Sequence, residues 1–117
     1  MKLRIQDNSL RLRLSIEEVN RLSGGLSIDM TTALGNGSLT TRLVGTKGDE
    51  GGSLSDGILE IQVDQQRIDD LVESDEEGFE FSLGETRILV QKDYQCIGRD
   101  ESLNEGLFPN PKSADAC

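Results

Sequence analysis

The chain has 117 residues, a formal net charge of −10 and no histidine. This length favours a single domain, and the acidic charge makes nucleic acid and anionic membranes unfavourable partners. Without histidine the Ser-His-Asp and Cys-His catalytic arrangements are excluded, and two cysteines cannot complete a four-thiolate zinc site, so we expect neither a metal nor a cofactor.

The first strands are predicted from alternating polar and apolar residues. Residues 2–5 and 10–14 both alternate, and the turn-forming sequence Asp-Asn-Ser at 7–9 separates them. We therefore predict a hairpin with one buried apolar face. Because side chains alternate across a strand, the four cations of this hairpin share its other face. They are Lys2, Arg4, Arg11 and Arg13.

The next elements are a short helix and a second hairpin. Residues 15–18, Ser-Ile-Glu-Glu, match a capping box, in which a hydroxyl group and a glutamate three residues later satisfy free backbone amides. Gly24-Gly25 ends the helix, and the Asn36-Gly37 turn signal separates two strands. Residues 45–57 include five glycines, and we predict that they form the most mobile internal loop.

The second half repeats this order. A strand at 59–63 precedes the helix cap Asp64 and an amphipathic helix, and residues 79–91 form another hairpin. We predict an α+β fold with a mainly antiparallel sheet or a partly closed barrel, two short helices, and internal duplication of a strand-helix-strand-strand unit. The alternative is that two amphipathic units are alike without duplication. We expect one domain over residues 1–111 and a flexible tail at 112–117.

Charge is divided unevenly along the chain. Residues 1–48 contain seven basic and four acidic residues, whereas residues 49–117 contain five basic and eighteen acidic ones. The hairpin cations form a surface able to bind a phosphate or carboxylate ligand. Alternatively, acidic residues of the second half, or of a second chain, cover this surface. The acidic run at 69–77 favours a solvated face over a calcium site, because it lacks the alternating oxygen ligands of an EF-hand.

Several chemically active residues follow the last predicted strand. They are Lys92, Asp93, Tyr94, Cys96 and Arg99. In a chain without histidine, Cys96 could be activated only by a neighbouring cation, and we expect it to be structural. We predict that this segment is a clamp. Its charges would pair with the N-terminal hairpin, the Tyr94 ring would lie on the arginine stems, and Phe108 would anchor the tail.

The two ends of the chain carry a recognisable pattern. The opening run MKLRIQDNSLRLRL, together with Lys-Asp-Tyr-x-Cys at 92–96, Arg99 and Phe-Pro-Asn-Pro at 108–111, resembles a family of small uncharacterised bacterial proteins. Tyr94 and Ile97 stand where the pattern of that family has phenylalanine and leucine. The resemblance implies a bacterial cytoplasmic domain and no particular activity.

Three hypotheses about function follow. The first is a small soluble domain that acts without catalysis, by binding a protein partner or by forming a homo-oligomer. The second is a module that binds an anionic small ligand through the four hairpin cations, and the third is an enzyme with a site around residues 92–100. No apolar segment typical of a signal peptide or a membrane span is present, so we expect a cytoplasmic protein with reduced thiols.

Overall fold

The computed structural model describes residues 1–94 and 106–109. These residues form an α+β fold dominated by sheet, with eight strands and two helices. Neither of these two helices is long and apolar enough to cross a membrane. In chain order the elements are β1 (Lys2–Gln6), β2 (Ser9–Leu14), α1 (Ile16–Ser23), β3 (Ile28–Leu34), β4 (Gly37–Thr46), β5 (Gly51–Ser55), β6 (Ile58–Asp64), α2 (Gln65–Glu73), β7 (Gly78–Leu83) and β8 (Thr86–Lys92).

The strands form two four-stranded sheets. The first sheet has the order β1-β2-β8-β7 and the second has the order β3-β4-β6-β5. Both sheets are mixed, because the central pairs β2–β8 and β4–β6 are parallel and the outer pairs are antiparallel hairpins. The predicted α+β class with antiparallel hairpins is confirmed. The barrel alternative is wrong: among the described residues each sheet keeps two edge strands and does not close.

The two halves of the chain repeat one another with a shift of 49 positions, as from residue 7 to residue 56. The first hairpin turn of each half holds Asp7 and Asp56 at φ of 48° and 53°, and the second holds Gly35 and Gly84 at φ of 56° and 60°. The two helix caps obey the same shift. Each unit contains one strand more than predicted, because β1 and β5 precede the other elements. Each half supplies one hairpin to each sheet, so neither sheet is complete without both halves.

Both sheets and both helices contribute to the core. The capping box of α1 forms as predicted: Ser15 Oγ accepts from the Glu18 amide at 3.3 Å, and Glu18 Oε1 accepts from the Ser15 amide at 2.9 Å. Each helix then turns two buried apolar side chains inward, one helical turn apart. Alternate residues of the central strands complete the core, and their neighbours face outward. The buried strand residues include Leu12, Leu14, Leu43, Ile61, Val63, Ile88 and Val90.

The glycine-rich segment 45–57 is mostly strand. β4 continues into it and β5 occupies its centre, so only residues 47–50 and the turn at 56–57 lie outside strands. Glycine here permits close packing, since a Cβ atom at Gly52 would lie 2.9 Å from Leu83 Cδ1 of the other sheet. The prediction of a long loop is wrong: Gly45, Gly51 and Gly52 lie in strands, and a Cβ atom at each would come within 2.9 Å of a neighbouring side chain. That residues 45–57 are the most mobile internal segment stays a prediction.

Candidate functional site

The four hairpin cations lie on the outer face of the first sheet. In the register of β1 and β2, Lys2 is opposite Arg13 and Arg4 is opposite Arg11. Lys2 and Arg4 are exposed, whereas Arg11 and Arg13 are half-buried. Directly opposed side chains have Cβ atoms about 5 Å apart, and like charges at this spacing destabilise a sheet. We call these four residues the basic face.

A carboxylate reaches one corner of the basic face. Lys2 Nζ lies 2.6 Å from Asp93 Oδ2, and the Asp93 side chain is 8% exposed. Among residues 1–94 and 106–109, Arg4, Arg11 and Arg13 form no ion pair. Within these residues, acidic cover from the second half of the chain therefore extends to Lys2 alone.

The same sheet face becomes acidic at its far edge. The row of opposed residues that contains Arg4 continues with Leu89 on β8 and Glu80 on β7. Glu80 Oε2 accepts from Arg87 Nη2 at 2.6 Å, and both side chains are more than half exposed. An open depression of about 410 Å³ beside this edge is lined by three glutamates, including Glu80. At the β7 edge the outer face thus carries the carboxylate of Glu80, which Arg87 of β8 partly neutralises, and the other two glutamates lie beside it in the depression.

Lys92, from the C-terminal cluster, occupies a core position. It is 8% exposed, whereas the residue at the equivalent place in the first repeat is Leu43, which is fully buried. Lys92 Nζ donates to the carbonyl of Ser74, the C-cap of α2, at 2.9 Å, and lies 5.3 Å from the centre of the Phe108 ring. A cation is favoured both at a helix C-terminus and over an aromatic face. Lys92 therefore ties α2, β8 and Phe108 together.

Asp93 and Tyr94 extend in different directions from the end of β8. Asp93 pairs with Lys2, whereas the Tyr94 ring meets the Phe108 ring edge to face, with centroids 6.1 Å apart. The Phe108 amide donates to the Asp93 carbonyl at 2.8 Å, in a parallel bridge. Burial raises the pKa of the Tyr94 hydroxyl above 10.0, and two nearby carboxylates raise it further, so this hydroxyl is protonated at neutral pH. Tyr94 was predicted to lie on arginine stems, but its observed ring contact is with Phe108.

The C-terminal cluster therefore divides into two groups. Lys92 and Tyr94 contact Phe108, and Asp93 contacts the basic face through Lys2. The two remaining members of the predicted cluster, Cys96 and Arg99, lie outside the described residues. Within the described part of the chain, no three or more metal-ligating side chains are grouped closely enough to hold a metal ion.

A cleft of about 490 Å³ lies beside the Lys2–Asp93 pair, between α1 and the end of β8. Its lining also includes Glu18, Arg21 and Leu107. No local sequence pattern predicts this cleft, because its walls come from segments far apart in the chain. Glu18 was recognised only as part of a helix cap.

Most of the charge in this cleft is already paired. Glu18 Oε2 lies 2.5 Å from the buried ammonium group of Met1, and Asp93 Oδ2 lies 2.6 Å from Lys2 Nζ. Burial alone raises the pKa of Glu18, but hydrogen bonds from Met1 and Ser15 outweigh this effect and hold the pKa below its ordinary value of 4.5. The cleft therefore offers a ligand less unpaired charge than the basic face does.

Comparison with known proteins bears on the resemblance seen at the two ends of the chain. A model for a family of unknown function (DUF7009) matches residues 1–112. No curated protein matches the chain significantly. The predicted resemblance to a family without an assigned function is confirmed, whereas bacterial origin and a cytoplasmic location stay predictions.

Proposed function

The chain belongs to the DUF7009 family, whose function is unknown, and we propose that it is a non-catalytic binding module whose basic face holds clustered oxyanions of a partner. One observation carries the proposal. Arg4, Arg11 and Arg13 share one sheet face and pair with no carboxylate of the described residues. The partner groups would be phosphoryl or carboxylate oxygens, which the guanidinium fork binds through two parallel hydrogen bonds.

The spacing of the basic face suits a ligand with more than one anionic group. Arg4 and Arg11 are opposed across two strands at about 5 Å, and Arg11 and Arg13 are two residues apart on one strand, at about 6.6 Å. Opposed like charges disfavour the unliganded sheet, and a bound anion removes that repulsion. A pyrophosphate or a pair of neighbouring carboxylates spans these distances.

The second repeat supports a role beyond folding. In the second sheet the positions equivalent to Arg4, Arg11 and Arg13 hold a serine, a glutamate and a glutamine, which are Ser53, Glu60 and Gln62. The architecture therefore forms without cations at these places. Only the first sheet has arginines at these positions, so the shared architecture does not require them.

The proposal is tested with polyanions and a variant that copies the second repeat. Arg4→Ser combined with Arg13→Gln introduces residues that the same architecture already accepts at equivalent positions. Inorganic pyrophosphate should stabilise the parent, because a ligand of the folded state adds about 1.4 kcal/mol at ten times its Kd. For a domain of this size the melting temperature should rise by roughly 4–8 °C. The double variant should lose most of this rise.

The matched control removes two positive charges elsewhere. Lys47→Gln combined with Arg21→Gln gives the same net charge and leaves the basic face intact. It should respond to pyrophosphate as the parent does, since general salt effects act equally on both. Isothermal titration calorimetry on the three proteins then measures binding directly. Equal affinity of the parent and the basic-face variant for pyrophosphate would show that the proposal is wrong.

A further inference from the structure

We propose that a second copy of this chain is a partner of the basic face, docked face to face on the outer face of the first sheet, and that its Glu80 supplies the carboxylate that Arg4 binds. The inference rests on the proposed binding role of the basic face. It follows from the placement of the opposite charge: the basic edge, on β1 and β2, and the acidic edge, on β7, belong to the same sheet and the same face.

The register of the sheet decides which residues would meet. One row of opposed residues runs across all four strands, as Arg4, Arg11, Leu89 and Glu80. A two-fold axis parallel to the strands, between β2 and β8, reverses the strand order and keeps the rows in place. It puts Arg4 opposite Glu80 of the second copy, and Arg11 opposite its Leu89. Each contact occurs twice, as an isologous interface requires.

This orientation is favoured over the alternative. An axis perpendicular to the strands would place β1 against β1 and would set arginine against arginine. With the axis parallel to the strands, each of the two Arg4–Glu80 contacts joins side chains of opposite charge. The apolar stem of Arg11 then covers Leu89 of the other copy, which is half-buried in the single chain. Glu80 Oε2 already pairs with Arg87 Nη2 at 2.6 Å, but the Glu80 side chain is still 55% exposed, so its carboxylate is accessible to a second guanidinium group.

The dimension of the face limits the strength of the dimer. Four strands spaced by about 4.8 Å, each with five residues rising about 3.3 Å, give a face of roughly 19 by 17 Å. Two such faces fall below the roughly 1,000 Å² of a stable interface. The net charge of −10 also opposes association at long range, although at about 0.1 M salt charges more than about 10 Å away are largely screened. We therefore expect a weak dimer that dissociates in about 1 M salt.

The test exchanges the two charges of the predicted contact. Arg4→Glu alone and Glu80→Arg alone each set like charges against each other, and each should raise the dimer Kd by about tenfold or more in sedimentation velocity. An equal mixture of these two variants should form a heterodimer, because both contacts then pair opposite charges. The variant with both substitutions should form a homodimer again for the same reason. Lys47→Glu changes the net charge as much as Arg4→Glu does, but on the loop at 47–50, and should leave the Kd unchanged.

Two results would overturn the inference. One is a parent protein that stays monomeric at all attainable concentrations in about 0.1 M salt. The other is that an equal mixture of Arg4→Glu and Glu80→Arg associates no more than either variant alone. This comparison is valid even if one of the variants is less stable than the parent. If the monomeric parent still binds pyrophosphate through its arginines, only the dimer is wrong. If the Arg4→Ser/Arg13→Gln variant binds pyrophosphate as well as the parent, the proposed function is wrong.

Discussion

Phe108→Ala should be among the more damaging substitutions outside the central strands, because Phe108 contacts Lys92 and Tyr94 at the end of β8 and packs against the core. Its ring is half-buried and packs against the core. Losing half of the burial of a phenylalanine costs roughly 1 kcal/mol. The edge-to-face contact with Tyr94 contributes about 0.5–1.5 kcal/mol, and the contact with Lys92 Nζ contributes about 0.5–1 kcal/mol. Since these contributions are not fully additive, we expect a loss of about 2–3 kcal/mol.

Thermal and urea unfolding followed by circular dichroism measure this loss. For a domain of this size, the melting temperature should fall by about 10 °C. Leu34→Ala is the control, because Leu34 is 60% exposed on an edge strand, and it should change stability by less than about 0.5 kcal/mol. Phe108→Leu keeps the apolar bulk but removes the ring contacts, and it should lose about half as much as Phe108→Ala. If Phe108→Ala unfolds no more easily than the control, the clamp between β8 and Phe108 is not a source of stability.

Three further predictions follow from individual contacts. Asp93→Asn should lower the unfolding free energy in urea by about 1 kcal/mol, less than Phe108→Ala does, because the Lys2 side chain that pairs with Asp93 is 55% exposed and its charge is screened by solvent. A larger loss of stability than that of Phe108→Ala would contradict this ranking. The pKa of Glu18 is below 4.5 in the folded state, so the ionised carboxylate stabilises the protein above pH 4.5, and this contribution is lost as the pH falls through the folded pKa. The difference in unfolding free energy between the parent and Glu18→Gln should therefore be constant near neutral pH and shrink below pH 4.5. A difference independent of pH would refute this prediction. Gly52→Val should lower the melting temperature, because the introduced valine side chain would clash with Leu83 of the other sheet. Ser53→Val, on the outward face of the same strand, should leave the melting temperature unchanged. Equal effects of the two substitutions would show that the sheets do not approach closely there.

Local patterns in the sequence predicted most of the elements. The capping box at Ser15 and the alternation of the first hairpin use only neighbouring residues, so their structures could be inferred without knowing the rest of the fold. The same holds for the shared face of Lys2, Arg4, Arg11 and Arg13, because strand periodicity alone determines it. The repeat was also visible, although β5 was missed because its glycines resemble those of a loop.

Tertiary structure decided how these elements are combined. The parallel pairing of β2 with β8 joins residues such as Leu12 and Val90, and no local pattern specifies a partner so distant in the chain. That pairing divides the hairpins between two sheets and brings Asp93 to Lys2. It also sets the acidic edge of β7 on the same face as the arginines. Sequence periodicity determines which side of a strand a residue occupies, but the neighbours on that side depend on long-range packing, because burial of the core selects the arrangement of the strands.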